Sequence, residues 1–146
     1  MFDEVGDALA ALVPPELGPV RVRARRYGIK VWFGPAEPPR EHYEAQVIGA
    51  EHVGDATTLA LEIGFHAEHP RAPDNAEVLA GLAAAEGRWR RSLGDEAVAG
   101  PFLGRPDWCR VSETWADPDL DDSELGFDLA ARLVDYITAL EPLRRR

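Results

Sequence analysis

The stretch Leu59-Ala60-Leu61-Glu62-Ile63-Gly64-Phe65-His66 sets large apolar residues at every second position, with small or polar ones between them. Val20-Arg21-Val22-Arg23-Ala24-Arg25 alternates in the same way. Successive side chains of an extended chain point to opposite faces, so runs of this kind are half-buried strands. They commit the chain to a sheet with one covered face and one open face.

Tyr27-Gly28 leads from the arginine run into Ile29-Lys30-Val31-Trp32-Phe33. For Val22 and Ala24 to share a face with Val31 and Phe33, the loop must hold an even number of residues. Arg21, Arg23, Arg25, Lys30 and Trp32 then turn to the other side. The proline-rich connection 34–39 is stiff and offers few ladder donors. Beyond it, residues 42–52 and 57–65 read as two more strands around Gly54-Asp55, a dipeptide suited to a two-residue type II′ turn. That turn predicts Val53 opposite Ala56, and hence Ile48 opposite Leu61, Val47 opposite Glu62, and Tyr43 opposite His66. Leu59, Leu61, Ile63 and Phe65 form the buried face, with Ala50 and Ile48 across from them. In this register Glu44 and Gln46 fall in the apolar layer, where desolvation would push the Glu44 pKa up.

Three helices frame the strands. Phe2, Val5, Leu9, Leu12 and Val13 recur at helical spacing and stop at Pro14-Pro15. A second helix is expected from Asp74, with Val78, Leu82, Ala85, Trp89 and Leu93 on its apolar stripe and Gly94 ending it. Residues 94–107 are long for a plain connection, which points to a short strand over 98–103. The last strand spans 108–115 and the last helix 123–141, with Leu125, Leu129, Leu133, Tyr136, Ile137 and Leu140 facing inward. The expected fold is one α+β domain over residues 1–146, an antiparallel sheet of five to six strands with helices on one face, in the order α-ββββ-α-(β)β-α.

Charge narrows the partners. With 26 acidic and 16 basic side chains the net charge is -10, which repels phosphate backbones and anionic lipid. Neither nucleic acid nor membrane is expected as a partner. Cys109 is the one cysteine, so no internal disulfide and no thiolate-rich zinc site can form. An N-terminus with acids where a signal peptide carries positive charge, and apolar runs far short of the ~20 residues that span a bilayer, lead us to expect a cytoplasmic protein.

Residues 61–70, LEIGFHAEHP, crowd two histidines and two carboxylates together. Metal ligation would draw on His42, His66 and His69. In extended geometry, however, His66 and His69 point to opposite faces, with Cα atoms about 10 Å apart, and Glu62 and His66 lie about 13 Å apart along the strand. A single ion collects that set only across a sharp bend, so no metal or other cofactor is expected. The predicted register instead opposes Tyr43 to His66, with Cβ atoms about 5 Å apart. Together with Arg21, Arg23, Arg25, Trp32 and Glu62 they form an open sheet face suited to an anionic or amphipathic partner. Residues 117–124 resemble a calcium loop at alternate acids but lack the glycine needed for its sharp turn. Cys109 sits in the apolar phase beside Val111 and reads as an inert thiol. No Gly-rich phosphate loop, nucleophile elbow or CxxC pair is present.

Size, acidity and element order are similar to those of small acidic secretion chaperones, a likeness of layout that implies a non-enzymatic binding or regulatory module pairing with itself. An open sheet edge or face fits a homodimer as well, and the arginine strip fits a protein or small anionic ligand. Two other functions remain open. One is a small metal-dependent or acid–base hydrolase centred on His66, with Glu62, Tyr43 and His42 or Glu44. The other is an acidic immunity or antitoxin-type protein that neutralises a basic partner.

Overall fold

Alternating runs and helical stripes become strands and helices where expected, in a computed structural model that describes residues 1–145. Helix α1 (Phe2–Leu12) precedes strands β1 (Val20–Ala24), β2 (Gly28–Phe33), β3 (Glu41–Gly49) and β4 (Leu59–Ala67). Helices α2 (Ala72–Ala84) and α3 (Glu86–Leu93) follow, then β5 (Val98–Phe102), β6 (Arg105–Ala116) and α4 (Leu125–Arg144). The six strands form one antiparallel sheet in the order β1-β2-β3-β4-β6-β5. No helix among the described residues is long and apolar enough to cross a membrane.

The helices cover one face. Phe2, Val5 and Leu9 of α1 and Leu129, Leu133, Ile137 and Leu140 of α4 are buried. They pack with Ile29, Val31, Tyr43, Ala45, Leu61, Ile63, Phe65 and Val111 from the sheet. Each such large side chain removed from water contributes roughly 1.5–3 kcal/mol, so this layer decides which way every strand faces. Helix α4 adds an ionic seam, in which Glu113 of β6 accepts hydrogen bonds from Arg132 and from the Tyr136 hydroxyl.

The expected second helix is broken at Ala85, which leaves helical geometry with ψ 11°. The Trp89 indole N–H donates to the Leu82 carbonyl across the break (2.8 Å). The helix also begins at Ala72, ahead of the expected Asp74. Asn75 is buried there, its side chain bound to the backbone of His69 and Asp107.

Four residues, 25–28, separate the paired positions Ala24 and Ile29, and the register opposes Val22 to Val31 and Arg23 to Lys30. The β3–β4 hairpin departs from expectation. Residues 50–52 form a 3-10 turn in place of a two-residue bend. Thr57 and Thr58 donate their amides and hydroxyls to the Asp117 carboxylate. The pairing slips by one residue: Tyr43 opposes Phe65, His42 opposes His66, and Gln46 opposes Glu62. One position of slip turns every side chain of β3 to the opposite face. Tyr43 therefore lies among the helices, and His42, Glu44 and Gln46 join Glu62 and His66 on the other side.

Gly64 stands at the centre of this polar face, opposite Glu44 on one side and Ser112 on the other. Its φ of 155° is hard for any side-chain-bearing residue, and an added Cβ would run into the Val111 carbonyl and lie 2.6 Å from Ser112 Cα. Replacing Gly64 with alanine is expected to lower unfolding free energy by about 2 kcal/mol or more. Gly100→Ala, where an added Cβ meets nothing within 4 Å, should stay within about 0.5 kcal/mol. Urea denaturation of the two variants measures the contrast.

Candidate metal centre

His42 and His66 face each other across the β3–β4 ladder, and two residues further along each strand stands a glutamate, Glu44 and Glu68. An antiparallel pair has a local two-fold axis between directly opposed residues. The two H-x-E units are therefore related by that axis, the histidines at the middle and the carboxylates to either side. Glu68 lies just beyond β4, but its amide still donates to the Arg40 carbonyl (2.9 Å), which prolongs the extended geometry. Gly64, opposite Glu44, has no side chain, and Glu44 Oε1 reaches both histidines.

Hydrogen bonds fix both imidazoles. His42 Nδ1 lies 2.9 Å from the Pro39 carbonyl, which can only accept. Nδ1 therefore carries a proton, and Nε2 faces the cluster. His66 Nε2 lies 2.8 Å from the Glu62 carboxylate, with Nδ1 facing inward. Gln46 donates to Glu62 (3.0 Å) and holds it in place. His66 is fully buried, and its Nδ1 has no hydrogen-bond partner among the described residues.

The inward atoms form a ring. His42 Nε2 is 3.1 Å from Glu44 Oε1 and 3.4 Å from Glu68 Oε2. His66 Nδ1 is 3.5 Å from Glu44 Oε1 and 3.3 Å from Glu68 Oε2. All four atoms fall within 4.8 Å of one another. Zinc bonds of about 2.0–2.1 Å in a tetrahedron separate ligand atoms by about 3.3–3.4 Å. The four histidine–glutamate edges of the ring, 3.1–3.5 Å, match that spacing. Lone pairs facing carboxylate oxygens repel unless a cation or protons lie between them, and the arrangement thus calls for positive charge at its centre.

Burial alone would lower the pKa of His42, but the carboxylates of Glu44 and Glu68 outweigh it and raise it above its ordinary 6.5. His66 is likewise pushed down by burial and pulled well above 6.5 by the charge of Glu62, with Glu44 and Glu68 adding to it. Burial raises Glu44, yet its contacts with His42 and His66 bring it down to about 2. Glu68 is also held well below the carboxylate range by the two histidines, against the effect of burial. The expected upward shift of Glu44 is thereby reversed, because the slipped register moves it from the apolar layer to the histidines.

Several residues singled out from the sequence lie elsewhere. Tyr43 packs edge-on against Phe65 on the helix side and does not reach His66. His69 pairs with Glu41 (2.7 Å), outside the ring. Trp32 is 4% exposed and donates to the Pro35 carbonyl (2.7 Å), tucked under the proline-rich connection and unavailable as an open aromatic plate. Arg21 donates to the Gly34 carbonyl and Arg23 pairs with Glu37. Glu62 and His66, expected about 13 Å apart along an ideal strand, meet because two long side chains lean toward each other over the bare Gly64. Glu68 was missed, although it lies in the same alternating phase as His66. An aromatic wall closes one side: Phe102 meets the His66 ring edge-on at 4.7 Å, and Trp108 backs Phe102.

Without an ion, raised histidine pKa values stabilise the fold below the unfolded value near 6.5, a contribution lost as pH rises through the folded values. The lowered Glu44 and Glu68 act above about 4.5, lost as pH falls through their folded values. Chelator-treated protein should therefore lose melting temperature as pH rises above about 6.5 more steeply than His66→Gln. Parallel profiles in a thermal scan would show that the metal-free imidazoles carry no proton. Comparison with protein-family models, curated proteins and solved structures gave no match, so the site is read from its own geometry.

Proposed function

We propose that this protein binds one divalent transition-metal ion, zinc foremost, through His42, Glu44, His66 and Glu68. The observation that carries this is the pair of inward ring nitrogens, His42 Nε2 and His66 Nδ1, facing two carboxylate oxygens with all four atoms within 4.8 Å of one another. Each outer ring nitrogen is tied to an acceptor, the arrangement that orients metal-binding histidines and raises their basicity. Two imidazoles and two carboxylates suit zinc and also accommodate manganese or iron; a hard oxygen-only ion such as calcium is disfavoured.

Of the functions open from the sequence, the metal-dependent one centred on His66 gains this support, with Tyr43 left out and Glu68 added. Glu44 and Glu68 keep 11% and 12% of their side chains exposed. Each borders a surface cleft, which offers the ion a route in and leaves its carboxylate side within reach of a small molecule.

Chelator-treated protein titrated with zinc should take up about one ion per chain. At a free concentration a hundredfold above the dissociation constant, the ion should add about 2.7 kcal/mol of stability. Glu68→Gln, at the cluster's outer edge, should lose most of the affinity while staying folded, and Glu62→Gln should weaken it about 10–100-fold. Calorimetry and elemental analysis read both. Zinc uptake unchanged in Glu68→Gln and His42→Ala, or absent in the parent chain, would assign the cluster to ion pairing alone.

A further inference from the structure

Beside Glu44 the sheet opens into a cleft of about 420 Å³, lined by Arg23, Arg25, Arg26, Lys30, Tyr27 and Gln46. It is walled by four cations in a chain of net charge -10, and Glu44, the acid among its lining residues, is engaged by the histidines. Arg23 and Lys30 are partnered by Glu37 and Glu68. Arg25 and Arg26 have no ion pair among the described residues. Gly28 adds openness to the floor, since it carries no side chain beside Gln46.

Two unpaired guanidinium groups at the mouth balance a dianion, and their planar forks match the oxygens of a phosphate in bidentate fashion. The volume is that of a small-molecule site. A ligand seated there extends over Lys30 toward Glu44, on the row Arg23, Lys30, Glu44 and Gly64 that crosses the sheet. We infer that this cleft binds the phosphate group of a small phosphorylated molecule, held by Arg25 and Arg26 next to the metal centre. The inference rests on the metal reading for its position beside an ion, while the arginines supply the phosphate affinity themselves.

The bland account is that charged residues on the edge strand β1 and its turn discourage edge-to-edge pairing. Calorimetry with phenyl phosphate, and with benzoate as the monoanionic control, separates the two. Zinc-loaded wild type should bind phenyl phosphate at least about tenfold more tightly than benzoate. The Arg25→Ala, Arg26→Ala double variant, altered only in an exposed turn, should weaken phenyl phosphate by about tenfold or more and take up zinc as before. Unchanged phenyl phosphate binding in that variant, no binding by wild type, or equal affinity for benzoate would each overturn the assignment. Phenyl phosphate binding that survives in zinc-free Glu68→Gln but not in the arginine variant would sustain the cleft; the failure of zinc uptake by wild type would sink the metal centre separately.

Discussion

The pairing of β3 with β4 governs everything the polar face contains. With Tyr43 opposite Phe65 and Ala45 opposite Ile63, the helix side is closed by apolar groups. The alternative register, one residue away, would bring Glu44 and Gln46 under α4 and turn Tyr43 and Ala45 outward. Carboxylate desolvation and lost apolar burial both oppose that arrangement by several kcal/mol. The helices thus select the register, and the histidines are brought face to face on the far side as a consequence. The Asp117 carboxylate, anchored to Thr57 and Thr58, keeps the long connection from feeding an extra residue into β4.

Buried charge is costly unless compensated, and here compensation is layered. Glu62 and the Pro39 carbonyl accept hydrogen bonds from the outer imidazole nitrogens, and Gln46 holds Glu62. Lys30 approaches Glu68 from the cleft side at 3.8 Å. Arg110, next to His66 across the ladder, is satisfied by Ser112 and the Pro101 carbonyl and stays out of the ring. The inward-facing atoms of the ring are left to one another. A protein built only for stability has little use for this arrangement, since apolar residues of similar size would cost less to bury.

Much of the architecture was legible because period-2 and period-3.6 patterns report burial directly. The VRVRA run put Arg21 and Arg23 on one face, and the four residues between the paired Ala24 and Ile29 are the even number that a shared face for Val22 and Val31 requires. The short strand over 98–102 followed from a connection too long to be bare. The β3–β4 turn was not legible. Gly54-Asp55 has the composition of a tight bend, but the 3-10 turn at 50–52 and the reach of Asp117 from 60 residues away are tertiary facts. Trp32 was misplaced for a similar reason: its cover comes from a loop whose path is not encoded in its alternation. The histidine–glutamate cluster did leave a trace, His42-Tyr43-Glu44 and His66-Ala67-Glu68, the same H-x-E spacing on two strands that pair. That repeat becomes meaningful only once the histidines are known to oppose each other.

All four inward-facing residues of the ring belong to a single hairpin, residues 42–68, and none comes from a helix. Those four groups therefore need only the β3–β4 pairing to meet one another. An ion held between them would cross-link the ribbon in the one alignment that the core accepts. Cation supply would then influence how firmly the chain holds together.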